Sequence, residues 1–436
     1  MFNNDLAVYY YDNMPINRVL VVGLGVSGVS VMDFFKSYAV VVDTMDVAIF
    51  TGGDNHMRGI HEADLCSYDL IVVSPGVPIN KKPYNVIYEY WDKVVCDIEI
   101  FSMEIAKIEN KKIIAITGSN GKSTSVTLLS HLLLRCDISA CVAGNIGVPV
   151  LEALKKDADI YILELSSFQI DLLKKSKFNL GCILNVTEDH LDRYADFSSY
   201  KQSKRKLLDH CHCKIINTLD NWVESDFIKF NNKYNYVDDS GRVFLNGKLL
   251  VEGRHLQVTG RHNYQNILAV SCIIDAMGLD ALSFKSHFLS YKGLDHRCCE
   301  VANINGVAFY NDSKATNVGS VISSISGLTD TSNIRLLMGG ISKGADFSLL
   351  NKYLGMNIVK LYLYGQDRHV ILKDLTEVSD FSLFETLGEA FYFASCDASQ
   401  GELVLLAPGC SSFDAFSGYE ERGDYFENLV NQLKES

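Results

Sequence analysis

The chain has 436 residues, of which 53 are Asp or Glu and 40 are Lys or Arg, so its formal net charge is −13. Such an acidic balance argues against binding to nucleic acid or insertion into an anionic membrane, but it allows a local phosphate pocket. With 47% hydrophobic residues and only 6 prolines, a chain of this length predicts about three folded domains. The 12 scattered cysteines are typical of reduced thiols in a cytoplasmic protein. No apolar stretch reaches the ~18 residues that a membrane-spanning helix needs.

The first predicted unit begins as an open α/β sheet. Its predicted strands occupy residues 18–22, 39–42 and 70–73. The first of them leads into Gly23-Leu24-Gly25-Val26-Ser27-Gly28 and then into a helix, and the second is followed by Asp43. This is the G-x-G-x-x-G fingerprint, whose glycines let a diphosphate approach the backbone. The pattern is typical of NAD binding, but a UDP group would fit the same turn. Ser74 ends the third strand at the same edge.

The most informative stretch is residues 113–124, where a buried strand is followed by a glycine turn and the start of a helix. Backbone N–H groups of such a turn and the positive end of the helix dipole suit a polyphosphate. Lys122 is placed to reach the β- and γ-phosphates, and the hydroxyl of Ser123 is placed to hold Mg²⁺. The turn departs from the common P-loop pattern, because Ile116 stands where a glycine is usual.

Two more predicted strands should end beside this turn. The strand at 160–163 is followed by Glu164, the position from which a carboxylate usually contacts Mg²⁺ in a phosphate-loop protein. The strand at 180–185 is followed by Glu188, Asp189 and His190. Lysine and serine, a carboxylate and a histidine at one sheet edge predict a metal–phosphate site.

The rest of the central unit gives weaker signals. The helix predicted at 200–210 has a basic face formed by Lys201, Lys204, Arg205 and Lys206. Spacing alone does not distinguish this face from an ordinary solvated one. Asn246-Gly247 between two apolar runs predicts a type I′ hairpin. Asn263 precedes a helix and has the position of an N-cap.

A boundary near residues 294–297 introduces the last unit. Its predicted strands occupy residues 307–310, 335–338, 359–364 and 403–406. Their alternation with helical patterns predicts another mainly parallel sheet. Polar loops follow three of these strands, at 311–317, 339–344 and 407–414. The sequence therefore predicts a third ligand-binding face.

The order of these motifs resembles the ATP-dependent Mur ligases of peptidoglycan synthesis. The motifs that carry the resemblance in the central unit are residues 117–124, 144–147, 164–169 and 187–192. Within the family, residues 311–317 and 408–414 are similar to the branch that adds D-glutamate to UDP-N-acetylmuramoyl-L-alanine. The resemblance spans nearly the whole chain. It implies an α/β protein of three domains: a Rossmann-like UDP-binding domain (1–98), a P-loop ATPase domain with a parallel sheet and a small β element (99–297), and a Rossmann-like amino-acid-binding domain (298–436).

The resemblance also implies roles for individual residues. ATP would be held by Gly118, Ser119, Asn120, Gly121, Lys122, Ser123 and Thr124, with Asn263 and Asn266 near the adenine and His296, Arg297, Asp312 and Lys314 closing over the nucleotide. Ser123 and Glu164 would bind one Mg²⁺, and His190 would bind a second with a carbamylated lysine, expected at Lys204 while Lys201 and Lys206 stay open. Thr44, Ser74 and Asn145 would contact the UDP-sugar, and Thr316, Lys343, Ser412 and Tyr419 would hold D-glutamate. Lys122, His190, Lys204 and Lys314 are the catalytic candidates.

The implied reaction forms an amide through an acyl phosphate and uses ATP and Mg²⁺. Because an anion must approach a polyphosphate, the site has to concentrate positive charge. We expect a monomer whose domains close before reaction, with hinges near residues 98–112 and 295–300. The sequence does not assign the base that deprotonates the D-glutamate amine.

Some residues depart from the family, and three other interpretations stay open. Met45 stands where relatives carry arginine, and Tyr419 stands where phenylalanine also occurs. The Asp-Asn-Pro-Arg signature of the relative that adds diaminopimelate is absent. The first alternative is a ligase of the same architecture for another amino acid or for folate. The second is an NAD-dependent dehydrogenase built on the glycine fingerprint, and the third is a catalytically silent nucleotide-binding regulator.

Overall fold

The strands form three large, mainly parallel sheets that follow one another along the chain, with two small antiparallel sheets beside them. The computed structural model describes residues 6–46, 56–57, 59–60, 64–189, 193–220, 227–258, 260–328, 333–376 and 380–435. Each large sheet lies within one of the three predicted units, whose limits at residues 98 and 297 stay predictions. Among the described helices, none combines the length and the apolar character that crossing a bilayer requires.

The first unit is a five-stranded parallel sheet with the order β5-β4-β3-β6-β7. Its elements, with the hairpin that precedes them, are β1 (Tyr9–Tyr11), β2 (Met14–Ile16), β3 (Arg18–Val22), α1 (Val26–Phe35), β4 (Val41–Met45), β5 (His56–Met57), β6 (Leu70–Val73) and β7 (Val94–Val95). Helix α2 (Asp97–Ile105) follows and crosses the predicted limit at residue 98. The strand order reverses between β3 and β6, so the loops after these two strands diverge and leave a crevice. Both strands are apolar and buried, and both match the predicted residues.

The second predicted strand is displaced. We expected it at 39–42 with Asp43 after it, but β4 runs from Val41 to Met45, so Asp43 lies inside the strand and is buried. Its carboxylate accepts hydrogen bonds from Arg18 Nε and from the hydroxyl of Tyr68, both at 2.9 Å. A carboxylate paired in this way is not presented to a ribose. The dehydrogenase interpretation therefore loses its acidic residue.

The central unit has a six-stranded parallel sheet with the order β13-β12-β11-β8-β10-β9 and a three-stranded antiparallel sheet. Its elements are β8 (Lys112–Thr117), α3 (Lys122–Leu134), β9 (Ala140–Gly144), α4 (Val150–Ala153), β10 (Ile160–Glu164), α5 (Ser167–Asp171), β11 (Phe178–Ile183), α6 (Phe197–Asp209), β12 (Cys211–Asn217), β13 (Ile228–Phe230), β14 (Tyr236–Val237), β15 (Arg242–Leu245), β16 (Lys248–Glu252), α7 (Arg261–Ala276) and α8 (Lys285–Leu289). Because β8 lies between β11 and β10, the loops after these three strands meet at one edge, as the sequence predicts.

Local backbone geometry tests two smaller predictions. Asn246 and Gly247 both have positive φ, 50° and 74°, as a type I′ hairpin between β15 and β16 requires. The expectation that Asn263 is an N-cap is wrong, because α7 begins at Arg261 and Gly260 takes the cap position. The sequence of residues 97–111 predicts one helix linking the first two units, but α2 ends at Ile105.

The last unit is a six-stranded sheet with the order β17-β18-β22-β19-β20-β21, in which only the edge strand β17 pairs antiparallel. Its elements are β17 (Cys299–Ile304), β18 (Val307–Asn311), α9 (Val318–Gly327), β19 (Ile334–Gly339), β20 (Ile358–Tyr364), α10 (Arg368–Asp374), β21 (Phe381–Leu383), α11 (Leu387–Asp397), β22 (Leu403–Leu406) and α12 (Tyr419–Glu435). Alternate residues of β22 enter two apolar clusters, Leu405 in one and Val404 in the other. Helices therefore cover both faces of the sheet, and the loops after its central strands carry the polar motifs.

Candidate active site

The turn between β8 and α3 has the shape of a phosphate loop. The ammonium of Lys122 donates to the carbonyl oxygens of Gly118 and Ser119, at 2.8 and 2.9 Å. Ser123 and Thr124 are buried in the first turn of the helix. Burial lowers the pKa of Lys122, although the nearby carboxylates oppose the shift. The loop thus holds a desolvated lysine next to the positive end of a helix, as anion binding requires.

Gly121 has no room for a side chain. Its φ is +81°, and a Cβ built there would lie 2.2 Å from Oδ1 of Asn266. Asn266, expected near the adenine, therefore packs against the phosphate loop through its amide. Asn263 and Asn266 both line the cavity beside this loop.

The cavity beside this loop is lined by more basic than acidic side chains. Its described basic lining residues are Lys122, Arg261, Arg297, Lys314 and Lys343, and its acidic ones are Glu164, Asp189 and Asp312. The positive side chains depress the pKa of Lys204 and Lys314 in addition to the effect of burial. The excess of positive charge is suited to a polyphosphate.

Glu164 is the last residue of β10 and is buried. Its Oε1 accepts a hydrogen bond from Asn145 Nδ2 at 2.9 Å, while Oε2 is buried without a partner. A carboxylate oxygen left in this state next to a helix-start hydroxyl is a fitting ligand for a hard cation. The predicted pair of Ser123 and Glu164 is therefore compatible with Mg²⁺.

The structure distinguishes among the three candidate lysines of α6. Lys204 is 2% exposed and donates to the carbonyl of Gly118 at 3.0 Å. Burial lowers its pKa well below the ordinary value. Lys206 instead forms an exposed ion pair with Asp171, and Lys201 donates to the backbone of Asp220. His190 lies outside the described residues.

The last unit closes over the phosphate loop through one asparagine. The side-chain oxygen of Asn120 accepts from Asn317 Nδ2 at 3.2 Å and from Ser320 Oγ at 2.7 Å. Asn317 also donates to Asp189 at 3.1 Å. The backbone N–H of Asn120 is held by Asn185 Oδ1 at 2.9 Å. This contact brings the loop after β18 to the nucleotide side of the central sheet.

Two charged residues of that loop line the resulting cavity of about 590 Å³. Burial raises the pKa of Asp312 to about 6, and its carboxylate accepts from Ser324. Burial and Arg297 lower the pKa of Lys314 to about 8. The Lys314 ammonium lies 3.6 Å from the ring centre of Tyr419. Tyr419 therefore packs against Lys314, and it is not among the described residues that line the cavity.

The residues expected to hold the amino acid lie on three connected loops. Thr316 and Lys343 line the cavity, whereas Ser412, on the third loop, is buried and is not among the described lining residues. The second and third loops pair through the two backbone hydrogen bonds of Ile341 with Ser411. At Gly340, a Cβ would lie 2.0 Å from the carbonyl oxygen of Ser411, which explains the glycine.

A second cavity, of about 640 Å³, lies at the crevice of the first sheet. Ser74 lines it and donates to the carbonyl of Gly23 at 2.7 Å, whereas Thr44 is buried in β4 and is absent from the lining. Met45 lines the cavity, and none of the described lining residues is Lys or Arg. The described lining therefore offers no cation in place of the expected arginine. Asn145 lines both cavities, so the two border the same residue.

Two polar residues of the nucleotide cavity are absent from the sequence-based site. His262 Nδ1 and Gln265 Oε1 are buried without partners, and both line the cavity. Burial lowers the pKa of His262 to about 4, which keeps the ring neutral. Both belong to the helix that carries Asn263 and Asn266, and this shared helix face is the signal that could have found them.

Three family models match the chain. They are "Mur ligase MurD-like, N-terminal domain" over residues 17–89, "Mur ligase middle domain" over 116–274 and "Mur ligase, glutamate ligase domain" over 296–410. The UDP-N-acetylmuramoylalanine--D-glutamate ligase of Francisella philomiragia is 41% identical over 426 residues, covering 98% of this chain and 99% of the relative. The protein of the same name from Francisella tularensis subsp. novicida is 40% identical over 427 residues, with the same coverage.

Solved structures show the same architecture at low sequence identity. MurF from Acinetobacter baumannii superposes with a TM-score of 0.64 and 15% identity, covering 98% of this chain and 95% of that one. UDP-N-acetylmuramate-alanine ligase MurC from Thermotoga maritima gives a TM-score of 0.62 and 15% identity, covering 96% and 100%.

Three α/β sheets in series, with a phosphate loop in the second and polar strand-end loops in the third, define an ATP-dependent ligase. The chain belongs to the Mur ligase family, and its first unit matches the MurD-like branch.

Proposed function

We propose that this protein joins D-glutamate to the alanine carboxylate of UDP-N-acetylmuramoyl-L-alanine, with conversion of ATP to ADP and phosphate. The observation that carries the assignment is that Asn145 lines both cavities, one of which is also lined by Lys122, Lys314 and Arg297. The similarity to D-glutamate ligases over 98% of the chain supports the choice of substrates.

The reaction has two displacement steps. A carboxylate oxygen of the alanyl group attacks the γ-phosphorus, the bond to the ADP oxygen breaks, and an acyl phosphate forms. The neutral amine of D-glutamate then attacks the acyl carbon, phosphate leaves, and the nitrogen loses a proton. His190 and the departing phosphate are the candidate acceptors of that proton.

The cations make the first step feasible because they lower the repulsion between a carboxylate and a polyphosphate. Lys122 would turn from its contacts with Gly118 and Ser119 towards the β- and γ-phosphates. Gly118, Ser119, Asn120, Gly121, Lys122, Ser123 and Thr124 would form the phosphate loop, with Asn263, Asn266, Arg297 and Asp312 around the nucleoside. Lys314 would lie over the phosphates from the last unit.

The described residues fit Mg²⁺. Ser123 and Glu164 would hold one ion, since Glu164 Oε2 is buried without a partner. His190 and Lys204 would hold a second. When bound, Mg²⁺ neutralises charge that develops on the transferred phosphoryl group.

Lys204 is suited to become a carbamate. A carbamate forms when a neutral amine attacks CO₂ and loses a proton, and burial together with Lys122 lowers the pKa of Lys204, so its neutral form is more accessible than that of an exposed lysine. The product is an anion and an oxygen ligand, which explains a buried lysine in a metal site.

Substrates are divided among the three units. Thr44, Ser74 and Asn145 would contact the UDP-sugar, with Thr44 acting from within β4. Thr316, Lys343, Ser412 and Tyr419 would receive D-glutamate, and the Tyr419 ring would orient Lys314. We assign residues 1–98, 99–297 and 298–436 to the UDP-sugar, ATP and amino-acid domains of a cytoplasmic monomer.

The test is phosphate release from MgATP with UDP-N-acetylmuramoyl-L-alanine and either D-glutamate or L-glutamate. Release that requires both the nucleotide sugar and the D-isomer is the expected result. Release with another amino acid would keep the ligase reaction and change the substrate. If ATP binds but no combination of acceptor and amino acid gives phosphate release, the protein is instead a silent nucleotide-binding protein.

A further inference from the structure

Arg422 is the largest fully buried side chain in the described part of the molecule, with 0% exposure. It lies in the first turns of α12, in the sequence Tyr-Glu-Glu-Arg-Gly-Asp, which reads as a solvated helix surface. Arginine is almost never fully buried unless its charge is compensated. Its position therefore requires an explanation beyond packing.

The guanidinium bonds three loops at once. Nε donates to Ser313 Oγ at 3.1 Å and Nη2 donates to the carbonyl of Ser313 at 2.9 Å. Both Nη atoms donate to the carbonyl of Cys410 at 3.2 Å, and Nη1 reaches that of Gly339 at 3.5 Å. These oxygens follow or end β18, β22 and β19, three neighbouring strands.

The same three loops carry the residues proposed for the amino acid. Thr316 lies on the first loop, Lys343 on the second and Ser412 on the third. Ser313 Oγ, which accepts from Arg422, also donates to the carbonyl of Tyr419 at 2.7 Å. One planar group thus fixes the relative positions of the loops, because its donors are held in a rigid fork.

The charge of Arg422 is not neutralised by an ion pair. Its partners in the described chain are carbonyl and hydroxyl oxygens. The carboxylates of Asp367, after β20, and Asp414, after β22, accept from the backbone N–H groups of Ser342 and Gln366. A buried positive charge without a carboxylate partner favours an anionic ligand nearby.

We propose that Arg422 is a positioning residue that aligns the three loops around the amino acid, and that its uncompensated charge makes the pocket selective for an acidic amino acid. This inference rests on the proposed function, since it concerns the amino-acid pocket of that reaction. Arg422 would contribute to the pocket in two ways, through its fork of five donors and through its charge.

Two substitutions test the contributions separately. Arg422→Lys keeps the charge and loses the fork, so we expect the KM for D-glutamate to rise at least tenfold while the preference for D-glutamate over D-glutamine is retained. Arg422→Gln loses both, so that preference, measured as the ratio of kcat/KM values, should also fall at least tenfold. The KM for the UDP-sugar should change less than twofold in both variants.

Arg335→Lys is the matched control. Arg335 is also largely buried in this sheet, but it binds the carboxylate of Glu402 at 2.7 Å, near the start of β19 and away from the three loops. Its substitution should lower the melting temperature without changing the KM for D-glutamate or the D-glutamine ratio. If the Arg422 variants match this control, a purely structural role is shown and the proposal is wrong.

Ser313→Ala covers the case in which neither Arg422 variant folds. It removes one acceptor of the guanidinium and leaves the charge, so a three- to tenfold rise in the KM for D-glutamate is expected, and an unchanged KM would overturn the alignment role. The wild-type assay separates this inference from the proposed function. If the wild type uses another acidic amino acid, the substrate assignment fails while the same variants still test Arg422 with that substrate. A neutral amino acid as the preferred substrate would refute the charge argument.

Discussion

Replacing Gly121 by alanine should separate backbone strain from damage to the phosphate loop. The substitution puts a Cβ where φ is +81° and where Oδ1 of Asn266 would be only 2.2 Å away. A left-handed conformation costs a non-glycine residue about 1–2 kcal/mol. For a unit of this size, that cost corresponds to a loss of roughly 2–8 °C in melting temperature.

The clash adds an effect on activity. Ordinary contact begins near 3.4 Å, so the loop and Asn266 must separate by about 1 Å, and a displacement of this size can reduce catalysis about 100-fold. We therefore expect kcat/KM for ATP to fall about 100-fold in Gly121→Ala. The assay is phosphate release at a series of ATP concentrations, with thermal unfolding measured on the same preparation.

Gly247→Ala is the matched control, because Gly247 has a similar φ of +74° and nothing within 4 Å of the added Cβ. It should lose similar stability and keep its kcat/KM for ATP within twofold. Asn266→Ala removes all three atoms that the Gly121 Cβ would meet, so the double variant should be less impaired than the two single effects combined. Wild-type ATP kinetics in Gly121→Ala, or equal losses in Gly247→Ala, would refute the reasoning.

The remaining predictions concern buried charged groups. Lys204→Ala should be inactive and partly restored by a short carboxylic acid that replaces the carbamate oxygens, whereas Lys206→Ala should stay near wild type; restoration only in the Lys206 variant would move the site. Because burial lowers the pKa of Lys314 to about 8, the free protein should hold this amine largely neutral near pH 9, and ATP should favour its charged form. Calorimetry in two buffers should then show proton uptake on ATP binding that Lys314→Arg loses, and equal uptake in that variant would contradict the assignment. Glu99 is fully buried and accepts from the N–H groups of residues 174–176. Glu99→Gln should lower the free energy of unfolding by about 1–3 kcal/mol, and an unchanged urea midpoint would show that these bonds do not contribute.

The strands that sequence locates correctly are those whose burial is local. Leu70–Val73 and Leu403–Leu406 are continuous apolar runs that end at a polar or small-residue loop, and both match the observed strands. The strand at 41–45 is displaced from its prediction because Asp43 is buried through Arg18 and Tyr68, which are distant in sequence. Such pairing is a tertiary effect, so periodicity does not reveal it.

Within the candidate site, sequence identifies residue types, and the structure shows how otherwise equivalent candidates differ in burial. Lys201, Lys204 and Lys206 share one short segment. Lys204 differs from the other two because its side chain is buried and donates to the carbonyl of Gly118. Arg422 is the opposite case, since its neighbours in sequence are charged and helical while its partners are carbonyls more than ten residues away. A sequence motif does not reveal a contact between residues so far apart in the chain.

The electrostatics of the central cavity connect ligand binding with domain closure. Lys122 belongs to the central unit and Lys314 to the last unit, and burial and like charge lower the pKa of Lys314. Bringing these cations together is unfavourable without an anion, and the hydrogen bonds of Asn120 with Asn317 and Ser320 hold the two units in contact. A polyphosphate between the cations would replace repulsion with attraction on both sides of that contact. ATP binding should therefore stabilise this contact between the central and last units.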